Sequence, residues 1–375
     1  MKSLCNVCKS NELRTIFKHS KIPKYNLNYY NNINKSLNSK FEKVNFVICK
    51  KCNFVFNSKY KELNYLVEYN ANRSNSKVFN TYLNKISNDL FLYLKNIKSI
   101  VEVGAGDCIF ANKLVKLYKK KIKYYAFDVS WLLKKNITDN KTNLKIIKIP
   151  DYYNKKYNFD VDLLILRHVL EHQYKVTDFL RKLLFKKPKY IFIEIPCWEF
   201  VKKNNYHYFS NEHCSYFSKE NINYLMNLLG YKKIFLKFDF NKEYIISLWV
   251  INTKRILKIN TEKKINFIFL NWKNKLKKLL KDSVIWGAGG KGVMLINILD
   301  LNSINMTYIL DINPDLNNKF IPGTDIQIMH PKNINSLNFK YKTIYVINIL
   351  YLNEVINIIK RLKIKTKVKY LFNNF

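Results

Sequence analysis

The chain has 375 residues, 48% of them hydrophobic and 15% aromatic, and 66 lysines and arginines stand against 27 aspartates and glutamates for a formal charge of +39. The length suits two or three domains with real cores. No signal peptide is legible after Met1 and apolar runs such as 244–251 are too short to span a bilayer, so a soluble cytoplasmic protein with no membrane partner is expected. The charge alone points toward nucleic acid, but the lysines are dispersed and not gathered into one arm, so nucleic acid is not expected as the principal partner. A positive surface would still attract an anionic substrate such as a nucleotide diphosphate.

The first chemistry in chain order is a pair of Cys-x-x-Cys knuckles, Cys5 with Cys8 and Cys49 with Cys52. Two such turns bring four thiolates to one tetrahedron, the pattern of a closed structural zinc site that braces a fold and leaves no position for water. The gap of 40 residues between the pairs calls for a small ribbon with an inserted loop. Disulfides are the competing reading, and a cytoplasmic chain disfavours them. Cys108, Cys197 and Cys214 stand alone and read as small buried residues. Further on, Tyr65 and Tyr69 are four apart; they either line a pocket or pack as ordinary tyrosines of a tyrosine-rich chain.

A helix over 78–95 leads into Ser99-Ile100-Val101-Glu102-Val103, an apolar strand that meets the turn Gly104-Ala105-Gly106-Asp107. A helical face follows, made by Ile109, Phe110, Leu114 and Leu117. Strand, glycine turn and helix open a nucleotide-binding α/β unit. Asp128 ends the next apolar run, where an acidic residue commonly accepts hydrogen bonds from ribose hydroxyls. A dinucleotide fingerprint needs a third glycine so that a helix start can hold a pyrophosphate. None follows here, and Asp107 would repel a pyrophosphate. Strands are expected over 145–149, 161–166 and 189–195, with a helix over 176–185. Ser218 caps a helix that carries Glu220 in its first turn and ends at Gly230. Strands over 232–240 and 243–251 are close enough to form a hairpin.

Two places in this stretch carry histidines. Arg167-His168-Val169-Leu170-Glu171-His172 follows the fourth strand, where open α/β sheets bind ligands. His168 and His172 are four apart, but no third metal ligand is obvious. The second place is Tyr206-His207-Tyr208-Phe209-Ser210-Asn211-Glu212-His213-Cys214-Ser215-Tyr216-Phe217-Ser218. A Glu-His pair among aromatics either works as a proton acceptor with a carboxylate to orient it or packs over the sheet as a plain loop.

The C-terminal third begins with an amphipathic pattern over 261–281, with Ile265, Phe269, Trp272, Leu276 and Leu279 or Leu280 on one side; docking on a neighbouring domain is its expected role. A second glycine turn, Gly287-Ala288-Gly289-Gly290-Lys291-Gly292, follows the strand Val284-Ile285-Trp286 and precedes a helix and a strand ending at Asp311. This is a second Rossmann-like unit. Its turn either binds phosphate, with Lys291 adding charge, or belongs to a degenerate fold used only for packing. Asn348 and Tyr351 follow another buried strand, 343–347.

Taken together, the four cysteines, Val101–Asp107, Arg167–His172, Glu212-His213 followed by Tyr216-Phe217-Ser218, and the C-terminal domain resemble bacterial S-adenosylmethionine-dependent C-methyltransferases of nucleotide-linked deoxysugars. The resemblance spans nearly the whole chain. It implies an α/β protein in three parts: a zinc-binding unit over 1–72, a class I methyltransferase sheet over 73–255 and a Rossmann-like substrate-cleft domain over 256–375. It implies S-adenosylmethionine as cofactor, held by Glu102, Gly104, Gly106, Asp107, Asp128 and Arg167, with structural Zn2+ on Cys5, Cys8, Cys49 and Cys52. His213 would be the general base that removes the proton beside a 4-keto group, supported by Glu212, His172 and Tyr69. Tyr65, Lys291, Asn348 and Tyr351 would contact the nucleotide-linked sugar, a precursor of surface polysaccharide. One departure stands out: the family usually carries Tyr-His before Glu-His, and this chain has Ser210-Asn211. O- or N-methylation of another glycan- or nucleotide-linked substrate, RNA methylation and a non-catalytic binding module are the alternatives.

Overall fold

A computed structural model describes residues 4–64, 73–118, 122–133, 146–201, 206–252, 272–336 and 341–373. The N-terminal unit is built on a long antiparallel ribbon, β1 (Leu13–Pro23) against β2 (Phe41–Cys49), with the short helix α1 (Ile33–Leu37) in the connection and β3 (Val55–Asn57) on the other side of β2. The ribbon with an inserted loop expected between the cysteine pairs is therefore present. Each knuckle closes on a left-handed residue, Lys9 at φ 63° and Asn53 at φ 56°, which turns the chain back so that Lys9 N donates to Cys5 O and Asn53 N to Cys49 O.

The central sheet is fed by α2 (Lys77–Tyr93). It contains β4 (Ser99–Val103), α3 (Ile109–Leu117), β5 (Lys123–Phe127), β6 (Ile146–Ile149), β7 (Leu163–Arg167), α4 (Val176–Leu183) and β8 (Tyr190–Pro196). After β8 come α5 (Trp198–Val201), the two-residue β9 (Ser215–Tyr216), α6 (Lys219–Leu228) and the hairpin β10 (Tyr231–Asp239) and β11 (Tyr244–Ile251). The order is β10-β11-β8-β7-β4-β5-β6, parallel except where β11 runs antiparallel to β8 and β10. The chain moves outward from β4 and then crosses back to β7, so the switch in direction lies between these two strands, where such sheets open a ligand crevice. Leu163 to Leu166 are fully buried, as a strand covered on both faces requires. Ser218 caps α6 as expected; the partner of its capping box is Asn221, whose side chain accepts from Ser218 N.

The C-terminal sheet is all parallel, in the order β14-β13-β12-β15-β16. It is built from α7 (Trp272–Leu279), β12 (Ser283–Trp286), α8 (Gly290–Ile298), β13 (Tyr308–Leu310), β14 (Gln327–Met329), β15 (Thr343–Val346), α9 (Leu352–Arg361) and β16 (Lys367–Tyr370). Leu276 and Leu280 are buried in its core and Leu279 packs against it, so the amphipathic segment docks as expected; Ile265 and Phe269 lie outside the described residues. Among the described residues no helix is long and apolar enough to cross a membrane.

The three parts share cores and ladders. Cys5, Cys52, Phe54 and Phe56 lie in one cluster with Leu166, Phe217, Ile222 and Trp249. β9, from the loop after β8, pairs with β3 and so extends the N-terminal sheet. The ribbon's connection reaches the C-terminal domain as well: Tyr30 bridges Phe320, and Ser36 Oγ lies 2.7 and 2.8 Å from the carbonyls of Ile321 and Thr324.

Candidate active site

The first glycine turn sits at the carboxyl ends of β4 and β5. Gly104 (φ 72°) and Gly106 (φ 56°) occupy the left-handed region, which costs side-chain-bearing residues about 1–2 kcal/mol. A Cβ on Gly104 would come within 2.8 Å of Val169, whereas one on Gly106 would meet nothing within 4 Å. The turn is clamped to β5: Gly104 N and Ala105 N both donate to Phe127 O, and Trp131 Nε1 donates to Gly106 O at 2.8 Å. Asp128 accepts from Gly106 N at 2.7 Å and from Ser130 N and Oγ at 2.9 and 2.6 Å. Bare backbone, open space above Gly106 and a partly exposed carboxylate fit a nucleoside with its ribose on Asp128 and no phosphate beside Asp107. Asp107 itself accepts from Ile109 N at the start of α3.

Glu102 and Arg167, expected among the cofactor-binding residues, each have a partner within the protein. Glu102 is buried and accepts from Tyr124 Oη at 2.7 Å, and burial pushes its carboxyl up to about 7. Arg167 donates to Glu194 at 2.6 Å and lies over the ring of Phe110. Both brace the strands under the crevice.

Above the carboxyl end of β7 the chain turns through His168, held at φ 53°. Its ring spans two buried carboxylates, 3.1 Å from Glu194 and 3.3 Å from Glu171. Burial opposes its charge, but Glu194 and Glu171 together outweigh that and raise its pKa. Tyr82 Oη also donates to Glu194, at 3.0 Å. Next to this group, His172 Nδ1 lies 3.0 Å from Glu212 O. A carbonyl only accepts, so the proton is on Nδ1. The ring of His213 stands edge-on to that of His172, centroids 4.9 Å apart. Burial, with the adjacent His172, lowers the His213 pKa to about 3, which keeps the imidazole neutral.

The loop that carries His213 is fixed from several directions. Asn57 N donates to Cys214 O, Ser215 Oγ to Gln173 O and Tyr216 Oη to Tyr208 O. Glu212 points away from His213, toward the N-terminal unit, where its carboxylate accepts from Asn26 N at 2.7 Å. Burial pushes that carboxyl up to about 7. Ser210 Oγ accepts from His213 N within the loop, and Asn211 Nδ2 donates to Lys24 O of the N-terminal unit, so both residues that replace the usual Tyr-His hold the loop in place. Tyr65 and Tyr69 lie outside the described residues.

Residues 74–235 match the model of a methyltransferase domain, and residues 260–363 match that of a C-methyltransferase C-terminal domain. The chain is an S-adenosylmethionine-dependent methyltransferase. No curated protein matches it. Solved structures that resemble the methyltransferase include the plantazolicin methyltransferase BpumL in complex with SAH (12% identity, 48% of this chain and 86% of that one, TM-score 0.36). They also include the N-methyltransferase NodS of Bradyrhizobium japonicum WM9 (11%, 48% and 99%, TM-score 0.34) and a SAM dependent methyltransferase of Aquifex aeolicus (16%, 46% and 98%, TM-score 0.32). Likeness this distant says nothing of substrate.

In this methyltransferase the residues expected at the sugar nucleotide come together where the C-terminal domain meets the central one, around Glu243. Lys291 Nζ reaches Glu243 at 2.5 Å and Tyr208 Oη at 2.6 Å, and Asn348 Nδ2 donates to Glu243 at 2.8 Å. Tyr351 packs edge-on against Phe240, and Arg73 donates to Tyr244 Oη at 2.6 Å. Lys291 is thus paired within the protein. In the second glycine turn Tyr29 Oη donates to Ala288 O, Asp311 accepts from Ala288 N, and Asn26 and Leu27 lie beside Gly290, whereas a Cβ on Gly287 or Gly289 would meet nothing within 4 Å. Glu194, Glu243, Arg73 and Asn26 escaped the sequence reading; a lone carboxylate inside the apolar run Ile191-Phe192-Ile193-Glu194-Ile195 was the one available signal.

The four N-terminal thiols also converge. Their sulfurs all lie within 4.8 Å of one another, with Cys5 to Cys52 at 3.6 Å and Cys8 to Cys49 at 3.5 Å. Sulfurs about 2.3 Å from a tetrahedral ion stand roughly 3.8 Å apart, so the set can hold a metal.

Proposed function

We propose that this enzyme methylates carbon, on the position beside the ketone of a nucleotide-linked 4-keto deoxysugar, with His213 as general base. The observation that carries the reading is the placement of His213: a half-buried, neutral imidazole beside His172, which follows the carboxyl end of β7, the strand paired with β4. The match of residues 260–363 to a C-methyltransferase domain supports carbon as the acceptor. When bound, S-adenosylmethionine supplies an electrophilic methyl group on a cationic sulfur. Gly104, Gly106 and Asp128 hold it, and Asp107 tolerates the cation. His213 takes the proton from the carbon beside the ketone, leaving the electron pair as an enolate. Glu212 orients His172 through its backbone carbonyl and ties the loop to Asn26 through its carboxylate. Tyr69 assists the base and Tyr65 contacts the sugar. Lys291, Asn348 and Tyr351 border the cleft that receives the nucleotide, on the 256–375 domain. Cys5, Cys8, Cys49 and Cys52 hold a structural zinc ion in the 1–72 unit.

A second reading, O-methylation of a related glycan- or nucleotide-linked substrate, is favoured by one observation. Ser210 and Asn211 are 3% and 1% exposed and put no phenol where the resemblance has a tyrosine to stabilise an enolate. A panel of nucleotide-linked 4-keto-6-deoxysugars, incubated with S-adenosylmethionine and followed by mass spectrometry and NMR, tests the choice. The expected product carries a new methyl on the carbon next to the ketone. A new methyl ether, or no product from any member, overturns the proposal.

A further inference from the structure

We infer that Glu171, His172 and His213 form a second metal site, which takes a divalent first-row transition ion and silences the enzyme while it is filled. The silencing rests on His213 as the base; the site itself does not. One ligand atom from each residue lies within 4.8 Å of the other two. Two imidazoles and one carboxylate form a borderline donor set, suited to cobalt, nickel, iron or zinc and poorly suited to calcium or magnesium. It differs in kind from the all-thiolate set near the N-terminus.

Three further features are those of a metal site. Glu171 is 1% exposed, and its Oε2 has no hydrogen-bond partner among the described residues, while Oε1 faces His168. A buried carboxylate oxygen left in that state is costly, and a cation removes the cost. Behind two of the three ligands stands a group that orients it. His168, itself held by Glu194, backs Glu171. The carbonyl of Glu212 takes Nδ1–H of His172 and so directs Nε2 to a metal. Such outer partners are the rule at histidine sites. Lastly, ligands about 2.0–2.2 Å from a tetrahedral ion stand roughly 3.3–3.6 Å apart, and the three ligand atoms already lie within 4.8 Å of one another.

The consequence follows from one lone pair. The imidazole nitrogen of His213 that binds the ion is the nitrogen that would accept a proton, so metal binding and proton abstraction exclude one another. Three protein ligands leave open positions, so the ion remains exchangeable, unlike one enclosed by four thiolates.

The test uses the full chain with its thiol site already filled with zinc, checked by elemental analysis, and Co2+ as the probe. One further cobalt per chain is expected to bind, with visible d–d bands and no thiolate charge-transfer band. His172→Ala and His213→Ala are each expected to weaken cobalt at least about tenfold while S-adenosylmethionine affinity, measured by calorimetry, is unchanged and reports an intact fold. Turnover of the wild type is expected to fall in proportion to cobalt bound and to return with a mild chelator. No added cobalt at millimolar concentration, or unchanged affinity in both variants, overturns the site. Cobalt bound with turnover intact overturns the silencing and, with it, His213 as the base. Loss of turnover in His213→Ala when the wild type binds no cobalt overturns the site alone and leaves the base standing.

Discussion

Glu194 is the residue on which the crevice rests. It is wholly buried, yet it meets Arg167 and His168 at the end of β7 and Tyr82 of α2. Burial alone would raise its pKa; Arg167 and His168 outweigh that and hold it far below the usual carboxylate range. A carboxyl depressed on folding contributes stability that is present above its unfolded pKa and is lost as pH falls below it. We therefore expect thermal stability to drop steeply below about pH 4.5. Glu194→Gln strands a buried guanidinium and should cost about 3–5 kcal/mol at neutral pH, with a shallower loss in acid than the wild type. Melting curves over pH 2–7 check this; parallel curves would contradict it. The glycines, Asp128 and the cysteines were legible in the sequence, because backbone geometry and ligand chemistry demand those residue types at fixed spacing. The role of Glu194 was not, since its partners are 27, 26 and 112 positions away.

At the scale of elements, the two glycine turns look alike in sequence and differ in their neighbours. A Cβ on Gly106, Gly287 or Gly289 would meet nothing within 4 Å, whereas Asn26 and Leu27 lie beside Gly290 and Tyr29 donates to Ala288 O. Sequence could identify both as strand–turn–helix units, because the pattern is local. It could not show these neighbours of the second turn, because they come from the far end of the chain. In the second turn, a Cβ on Gly292 would come 2.0 Å from Gly287 O. Backbone cannot yield as a side-chain tip does, so Gly292→Ala should destabilise by more than the roughly 1–3 kcal/mol of ordinary overpacking. Gly106→Ala should cost only about 1–2 kcal/mol of left-handed strain while weakening S-adenosylmethionine. Denaturant titration and calorimetry on both variants separate the two effects; equal stability losses would contradict the account.

Over the whole molecule, the three-part division and the antiparallel hairpin closing the central sheet followed from sequence. What it hid is how the parts hold one loop. β9 completes the N-terminal sheet two residues after His213, Asn26 binds Glu212, and the helix start at Gly290 carries the same N-terminal segment. The thiol site lies in one core with the strands under the crevice. Stripping the zinc proposed for it with a strong chelator should therefore lower the melting temperature and also abolish turnover, although the cysteines are not placed at the substrate. Cys8→Ser should do the same in part. Full turnover by metal-free protein would contradict this coupling.

The central claim is that His213 removes a proton from carbon. The most direct measurement follows deuterium entering the position beside the ketone of an accepted nucleotide-linked 4-keto sugar in D2O, by NMR, without methyl donor. The wild type should exchange that proton, and His213→Ala, with S-adenosylmethionine binding intact, should be slower by about a hundred- to ten-thousand-fold. Equal exchange by the two proteins would contradict the account.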